Sequence, residues 1–440
     1  MRDHKELGFT MVFISVLLQY LGVSCSSFGL LEDLEKKTIK NEKNKTNPWC
    51  SELPDDIIEL ILRRLDVLDY IRFYSVCKLW RSVAVGMDLG YSLCCRGLPW
   101  LMFTCDAKTQ TYGFFSLSES RKYYIPLPTA GGLAHCCGSS QGWLLMCNSA
   151  SGGCFLLNPF SGAEIKLPRL SPPLAYKVIL SNPPVSDNTN DFMVVAMNAT
   201  HLVFCRLGDL KWTLLHQPES SYSDAIYHKG KLYAVNRKDE LWVFQLQGPR
   251  SPSARKLKIP PVDLDPRPLG RSDTEMMTRY LVEPKEKLLL VYGFFHLIRT
   301  HGYDSTQTHR PCYCDCGCDS PHNFIFQPQL CVKFKIYVLD EDNISSGSGE
   351  GGYQWNVQES LGNQALFLGR NTSKSLSATE FLGLKENCIY FTLNFYKKSF
   401  DEFHYSGIYH VENGMVESCF PFDPDTDMGP PIWITPSNSI

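Results

Sequence analysis

At 440 residues the chain exceeds one ordinary core of about 100–200 residues, so a small domain joined to a large one, or one large repeat domain with appendages, is expected. Apolar residues at 44% and charged residues at 20% exclude wholesale disorder, while Gly 31, Pro 27 and 12% aromatics favour many short strands and turns. A formal net charge of −3 provides no global attraction to a polyanion, and nucleic acid is not expected as a partner.

Residues 1–47 divide into an apolar segment and a charged linker. Residues 9–23, FTMVFISVLLQYLGV, follow Arg2 and Lys5 and precede Ser24, Cys25, Ser26 and Ser27, as the apolar region of a secretion signal would. The run is shorter than the 18 or more residues of a spanning helix, and Asp3 and Glu6 offset its positive flank. If it inserts, Lys36, Lys37, Lys40, Lys43 and Lys45 outnumber Arg2 and Lys5, which keeps the following chain in the cytosol. Membrane contact by residues 9–23 therefore stands beside two other readings, a buried or amphipathic extra helix and an upstream extension outside the working protein. The sequons at Asn44, Asn198, Asn343 and Asn371 do not argue for secretion, because such short patterns arise by chance.

Residues 48–90 carry a short helical unit. Ser51 caps the first of three expected helices, Pro54 sits where its missing N–H is harmless, and Asp55 and Asp56 suit the positive helix terminus. Ile57, Leu60, Ile61 and Leu65 recur at helical spacing, and Ile58 and Leu62 form a second apolar line. Two apolar faces exceed the needs of one small core, so one is expected to meet another protein. Asp69 starts a second helix, and Val76, Cys77, Trp80 and Val83 recur in a third.

Leu53-Pro54, Ile57, Ile61, Leu65, Val76-Cys77 and Trp80-Arg81 resemble the F-box signature over its full length. The resemblance implies that Leu53, Pro54, Ile57, Leu60, Ile61 and Leu65 bind a Skp-type adaptor, which bridges to cullin and RING subunits. It assigns Val76, Cys77 and Trp80 to the core of the F-box. A free-standing bundle of roughly 35 residues would bury too little surface to fold alone.

From residue 98 to 440, short apolar runs alternate with Gly, Pro, Asn and Asp, the grammar of an all-β array. Runs at 143–145, 154–157 and 165–168 are followed by counterparts at 230–235, 241–244, 288–292, 334–340, 387–391 and 407–411. Their return at about 40–50 residues is that of propeller blades, so a large β-propeller is expected after the all-α F-box. Cys105, Cys147, Cys154, Cys205 and Cys388 sit singly in these runs and read as reduced core thiols, although the chain has 18 cysteines.

LLNPFSG at 156–162, Trp355, ESLGNQALFLGRNTS at 359–373 and NCIYFT at 387–392 resemble the kelch-like propeller of plant F-box proteins of the KIB type, over about residues 98–425. These motifs imply a fold and not a target. With the F-box they imply a non-catalytic substrate receptor of an SCF-type ubiquitin ligase in the cytoplasm or nucleus, or membrane-anchored and facing the cytosol. The protein substrate is unknown and no cofactor is implied. The alternatives are a propeller scaffold without ligase function and a metal-sensing binding protein.

Two local patterns bear on chemistry. Gly138-Ser139-Ser140-Gln141-Gly142 satisfies the G-x-S-x-G pattern of a hydrolase, but a strand rather than a helix is expected to follow it. Cys312, Cys314, Cys316 and Cys318, near His301, His309 and His322, alternate so that four thiolates could converge on Cu(I) or Zn in an extended chain. They lack the C-x2-C spacing of structural zinc sites and fall in an apparent insertion at about 296–330. An exposed loop without a bound ion is the simpler reading, and no metal is assigned.

Overall fold

In the computed structural model, residues 55–62, 80 and 82–83 are described, and so are residues 98–436 apart from 107–110, 126, 128–133, 149–150, 161, 171–174, 185–191, 199–200, 217–219, 247–251, 263, 265–274, 304–323, 343–351, 398–399 and 421–427. The chain divides into two compact units, Met1–Arg96 and Gly97–Ile440.

In the first unit, helix α1 spans Asp55–Leu62. Ile58, Ile61 and Leu62 are buried, as is Trp80. The i, i+3, i+4 spacing of the first three defines one helical face. The second and third expected helices, with Val76 and Cys77, lie outside the described residues, as do residues 1–54, Leu65 and the side chains of Ile57 and Leu60.

The second unit is a six-bladed β-propeller, its sheets arranged by sequence patterns that differ from strand to strand. Blade 1 contains β1 (Trp100–Asp106), β2 (Thr111–Ser116), β3 (Arg121–Ile125) and, from the carboxyl end, β25 (Met428–Ile434). Blade 2 contains β4 (Ala134–Ser140), β5 (Trp143–Asn148), β6 (Cys154–Leu157) and β7 (Glu164–Leu167). Blade 3 contains β8 (Lys177–Leu180), β9 (Met193–Met197), β10 (Leu202–Arg206) and β11 (Thr213–His216). Blade 4 contains β12 (Tyr222–His228), β13 (Lys231–Asn236), β14 (Leu241–Gln245) and β15 (Ser253–Lys256).

Blade 5 contains β16 (Glu275–Val282), β17 (Leu289–Tyr303), β18 (Phe324–Asp342) and β19 (Gly352–Val357). Blade 6 has five strands, β20 (Gln364–Leu368), β21 (Lys374–Ser377), β22 (Cys388–Lys397), β23 (Phe400–His410) and β24 (Val416–Ser418).

Each blade is packed on both faces by its neighbours, so its inner strands tolerate no polar face. MVVAM in β9 is buried at all five positions, whereas SARK in β15, at the outer edge, is exposed at all four. Charged outer strands also discourage edge-to-edge association. Two-residue hairpins join the first two strands of blades 2 and 4. Gln141-Gly142 and Lys229-Gly230 adopt left-handed φ values of 53° and 82°, and of 46° and 75°, which match the twist of the flanking strands.

The ring closes by antiparallel pairing of Leu101 with Trp433 and Met102 with Ile432, so the last strand of the chain completes its first blade. Aromatic packing seals the joints on either side. Phe160 lies 5.5 Å from Trp100, edge-on, and thereby explains the LLNPFSG motif as a staple between blades 2 and 1. The Asn158 Oδ1 holds that turn by accepting from the Phe160 N–H at 3.0 Å. Between blades 6 and 1, Phe367 meets Trp433 edge-on at 5.3 Å.

The described residues at the two ends of the expected insertion at 296–330 are strand. Residues 297–303 of β17 pair with 324–330 of β18, extending the blade 5 hairpin beyond the last partner of β16. Backbone pairing satisfies the polar groups of this extension without an alternating apolar pattern, and the pattern was the only strand signal available in sequence. Cys312, Cys314, Cys316 and Cys318 lie outside the described residues.

Candidate binding surface on the propeller axis

The innermost strands β25, β4, β8, β12 and β16 follow one another around the ring. Blade 6 departs from the pattern because the chain between β20 and β21 enters the centre. That detour explains why β21 is innermost and why β20 pairs in parallel with β22. It is built from Gly369-Arg370-Asn371-Thr372-Ser373, the last third of the longest family-like motif.

Residues 370–373 of the detour each bond to a different blade or fix the turn. Arg370 Nε donates to the Tyr176 carbonyl at 3.5 Å. Thr372 N–H donates to the Ser139 carbonyl at 2.8 Å, and its hydroxyl donates to the Val178 carbonyl at 2.8 Å. Ser140 Oγ lies 2.9 Å from Thr372 Oγ1 and accepts from the Leu180 N–H at 3.0 Å. Ser373 Oγ donates to Asp224 Oδ2 at 3.3 Å. Asn371 Nδ2 donates to the Phe367 and Thr372 carbonyls at 3.2 and 2.9 Å.

Asp224 is the electrostatic centre of this arrangement. It is fully buried, and its oxygens accept from the Ala225 and Leu281 N–H groups at 2.7 and 2.8 Å. The Lys177 ammonium, 3% exposed, forms an ion pair with Asp224 Oδ1. Burial pushes the Asp224 carboxyl above the usual carboxylate range, against the opposing pull of Lys177 and the two backbone donors. Lys177, Asp224, the Leu281 amide and Ser373 belong to blades 3, 4, 5 and 6, so one carboxylate ties four blades together.

Above this plug lies a pocket of about 220 Å³, lined by Ile226, Phe367 and Trp433 among others and bearing Gln141, Glu283 and Lys374. Glu283 Oε1 sits 2.9 Å from His228 Nδ1. A carboxylate and an ammonium among the hydroxyl and amide groups of Ser140, Gln141, Thr372 and Ser375 can engage a protein segment through paired charges and hydrogen bonds.

The hydrolase-like pattern has a structural explanation. A Cβ at Gly138 would lie 2.7 Å from the Arg370 carbonyl oxygen, so glycine permits the plug to approach β4. Ser140 is committed to the joint with blade 3, and Gly142 occupies the left-handed turn before β5. A strand follows where the nucleophile elbow needs a helix. Two sequons are structural as well: Asn371 is buried in the plug, and Asn198 Oδ1 accepts from the His201 N–H at 2.7 Å.

Gly369 provides a test of the plug. A Cβ there would come within 2.1 Å of Thr392 Oγ1. Gly369→Ala is expected to lower stability by about 1–3 kcal/mol in chemical denaturation, and Thr392→Ala in the same chain to recover part of the loss.

Sequence reasoning marked the motif at 359–373 but did not locate it on the axis. It missed Lys177 and Asp224 altogether. Their signal was a charged residue in an otherwise buried strand, in KVIL and YSDAIYH, which gains meaning only when the two are known to face each other. Of the residues assigned to adaptor binding, Ile61 is buried within the chain, while Leu53, Pro54 and Leu65 and the side chains of Ile57 and Leu60 are outside the described residues.

The comparisons with known proteins agree with this architecture. A family model for the F-box domain matches residues 50–91, and a model for the KIB1-4 β-propeller matches residues 114–416. Fold and matches together define an F-box protein carrying a β-propeller. The chain belongs to the KIB1-4 β-propeller family.

An F-box/kelch-repeat protein of Arabidopsis thaliana is 27% identical over 237 residues, covering 51% of this chain and 63% of its own length. The F-box/kelch-repeat protein KIB1 of the same plant is 26% identical over 231 residues, covering 50% of this chain and 58% of its own length. The chain spans 54–63% of the length of the first curated relatives it matches.

Proposed function

We propose that this chain is a substrate-recognition subunit of an SCF-type cullin-RING ubiquitin ligase. The observation that carries the reading is the union in one chain of an F-box match at 50–91 with a closed propeller. Leu53, Pro54, Ile57, Leu60, Ile61 and Leu65 dock a Skp-type adaptor, which bridges to cullin and RING subunits. Val76, Cys77 and Trp80 hold the F-box together. The chain performs no transfer chemistry; another subunit supplies it, and the bound target is ubiquitinated and degraded.

The propeller supplies a rigid platform, and the axial pocket with Glu283 and Lys374 is its target-facing site. Affinity purification with the proteasome blocked tests the reading. Ubiquitin-linked proteins enriched with the wild-type chain are expected to fall to background with Glu283→Lys/Lys374→Glu while adaptor recovery persists. Equal enrichment with the charge-reversed chain would remove the axial pocket from target binding.

The proposed activity calls for an F-box in the cytoplasm or nucleus, or on a membrane and facing the cytosol. Among the described residues no helix is long and apolar enough to cross a membrane, and residues 9–23 lie outside them. Fractionation with and without residues 1–30 decides between the two: a membrane-bound fraction that disappears on deletion identifies an anchor.

A further inference from the structure

Blade 2 holds a cluster of thiols that the proposed function does not use. Cys147 on β5 and Cys154 on β6 are direct cross-strand partners. The neighbouring rung is closed by the Asn148 N–H on the Gly153 carbonyl at 2.9 Å, which makes 147/154 a non-hydrogen-bonded pair. In such pairs the Cα atoms approach to about 4.5 Å, within the span a disulfide bridges. The two Sγ atoms are 2.8 Å apart.

A third thiol completes the group. Cys137 on β4 shares a hydrogen bond with Cys147, and this bond, helped by His135, lowers the Cys137 thiol to about 6. The same bond to Cys137 is the first cause that pushes the Cys147 thiol up. Cys137 is thus the more acidic thiol of the two, and Cys147 the less acidic. All three cysteines are free in the structure, and no metal-holding group of His, Cys, Asp or Glu occurs among the described residues.

We propose that blade 2 contains a thiol–disulfide site in which hydrogen peroxide couples Cys147 to Cys154, with Cys137 accepting the proton of Cys147. Cys154, 5% exposed and beside the hairpin turn at Ser151–Gly153, is the point of entry. Its sulfur attacks the peroxide, the O–O bond breaks, and a sulfenic acid and one water form. The Cys147 sulfur then attacks Cys154 as its proton passes along the hydrogen bond to Cys137. The S–O bond breaks, the S–S bond forms, and the departing hydroxide takes the proton from Cys137 as a second water. Two thiols supply the two electrons that reduce one peroxide.

In a reducing compartment the pair stays open, as cytosolic thiols do. Closure pins β5 to β6, and thiol exchange reopens it. Packing as three small apolar side chains is the competing account, and it predicts no coupling.

Peptide mapping of the full chain distinguishes them. The reduced protein is treated with hydrogen peroxide, unfolded, alkylated and cut with chymotrypsin, which cleaves after Leu145 and Phe155 and so isolates Cys147 and Cys154 from Cys136 and Cys137. The expected peptide is unalkylated, lighter by two hydrogens than the dithiol, and restored to the dithiol by dithiothreitol. Cys137→Ser is expected to slow its formation by about tenfold. A fully alkylated 146–155 peptide, or one joined to the Cys136–Cys137 peptide, overturns the proposal. An unchanged rate in Cys137→Ser overturns the role of Cys137.

Discussion

Asp224→Ala is expected to destabilise the propeller by about 3–5 kcal/mol, the cost of leaving the buried Lys177 ammonium without its counter-charge. The penalty is large because solvent cannot substitute: Lys177 is 3% exposed and Asp224 fully buried. The Leu281 N–H and the Ser373 hydroxyl lose their acceptor in the same change, so the blade 4–5 joint and the plug loosen together. Replacing both charges, as Lys177→Met/Asp224→Leu, removes the orphaned ammonium but not those lost acceptors. The double variant is therefore expected to recover part of the loss. Urea denaturation followed by tryptophan fluorescence measures both, and a double variant no better than Asp224→Ala would show that the ion pair is not the source of the penalty.

Deleting residues 428–440 is expected to abolish cooperative folding of the propeller. Ile432, Trp433 and Ile434 are each at most 2% exposed, and truncating buried residues of these types costs about 2–5 kcal/mol apiece. Three such losses approach or exceed the roughly 5–15 kcal/mol that hold a typical folded protein together, before the unpaired edge of β1 is considered. Trp433 also packs against Phe367 of blade 6, and its carbonyl accepts from Ser139 of blade 2, so the deletion opens three blades at once. Trp433→Ala alone is the milder form, expected to cost about 3–5 kcal/mol. Retention of a single sharp unfolding transition after the deletion would contradict closure by β25.

Much of this fold was legible because its signals are local. The run at 154–157, the Asn158–Gly162 turn and the run at 165–168 announce strand, turn and strand within a few residues, and β6 and β7 occupy Cys154–Leu157 and Glu164–Leu167. The strand after Gly142 was readable for the same reason. A turn that takes glycine at a left-handed φ precedes an unbroken apolar run.

What escaped was long-range. The parallel pairing of β20 with β22 follows from the detour through the axis, and no local pattern encodes a strand order. Lys177 and Asp224 are separated by 47 positions and become partners only when blades 3 and 4 meet. The continuation of β17 and β18 past residue 296 was hidden by a stretch rich in Cys, His and Pro that looks like loop. The family resemblance supplied the blade motifs, while their physical roles, as interblade staple at 156–162 and axial plug at 369–373, came from the contacts.

The same division separates the two halves of the functional account. Adaptor docking rests on a short signature in which each residue type can be read in place. The proposed target site draws on side chains from several blades, Gln141, Ile226, Glu283 and Lys374, that converge only in the folded ring.

Direct binding of the purified full chain to a purified Skp-type adaptor, measured by calorimetry, tests the central claim most closely. A one-to-one complex is predicted, with Leu53→Ala/Pro54→Ala weakening it at least tenfold, about 1.4 kcal/mol, while the unfolding transition of the propeller stays in place. No complex with the wild-type chain, or equal affinity in the double variant, would contradict it.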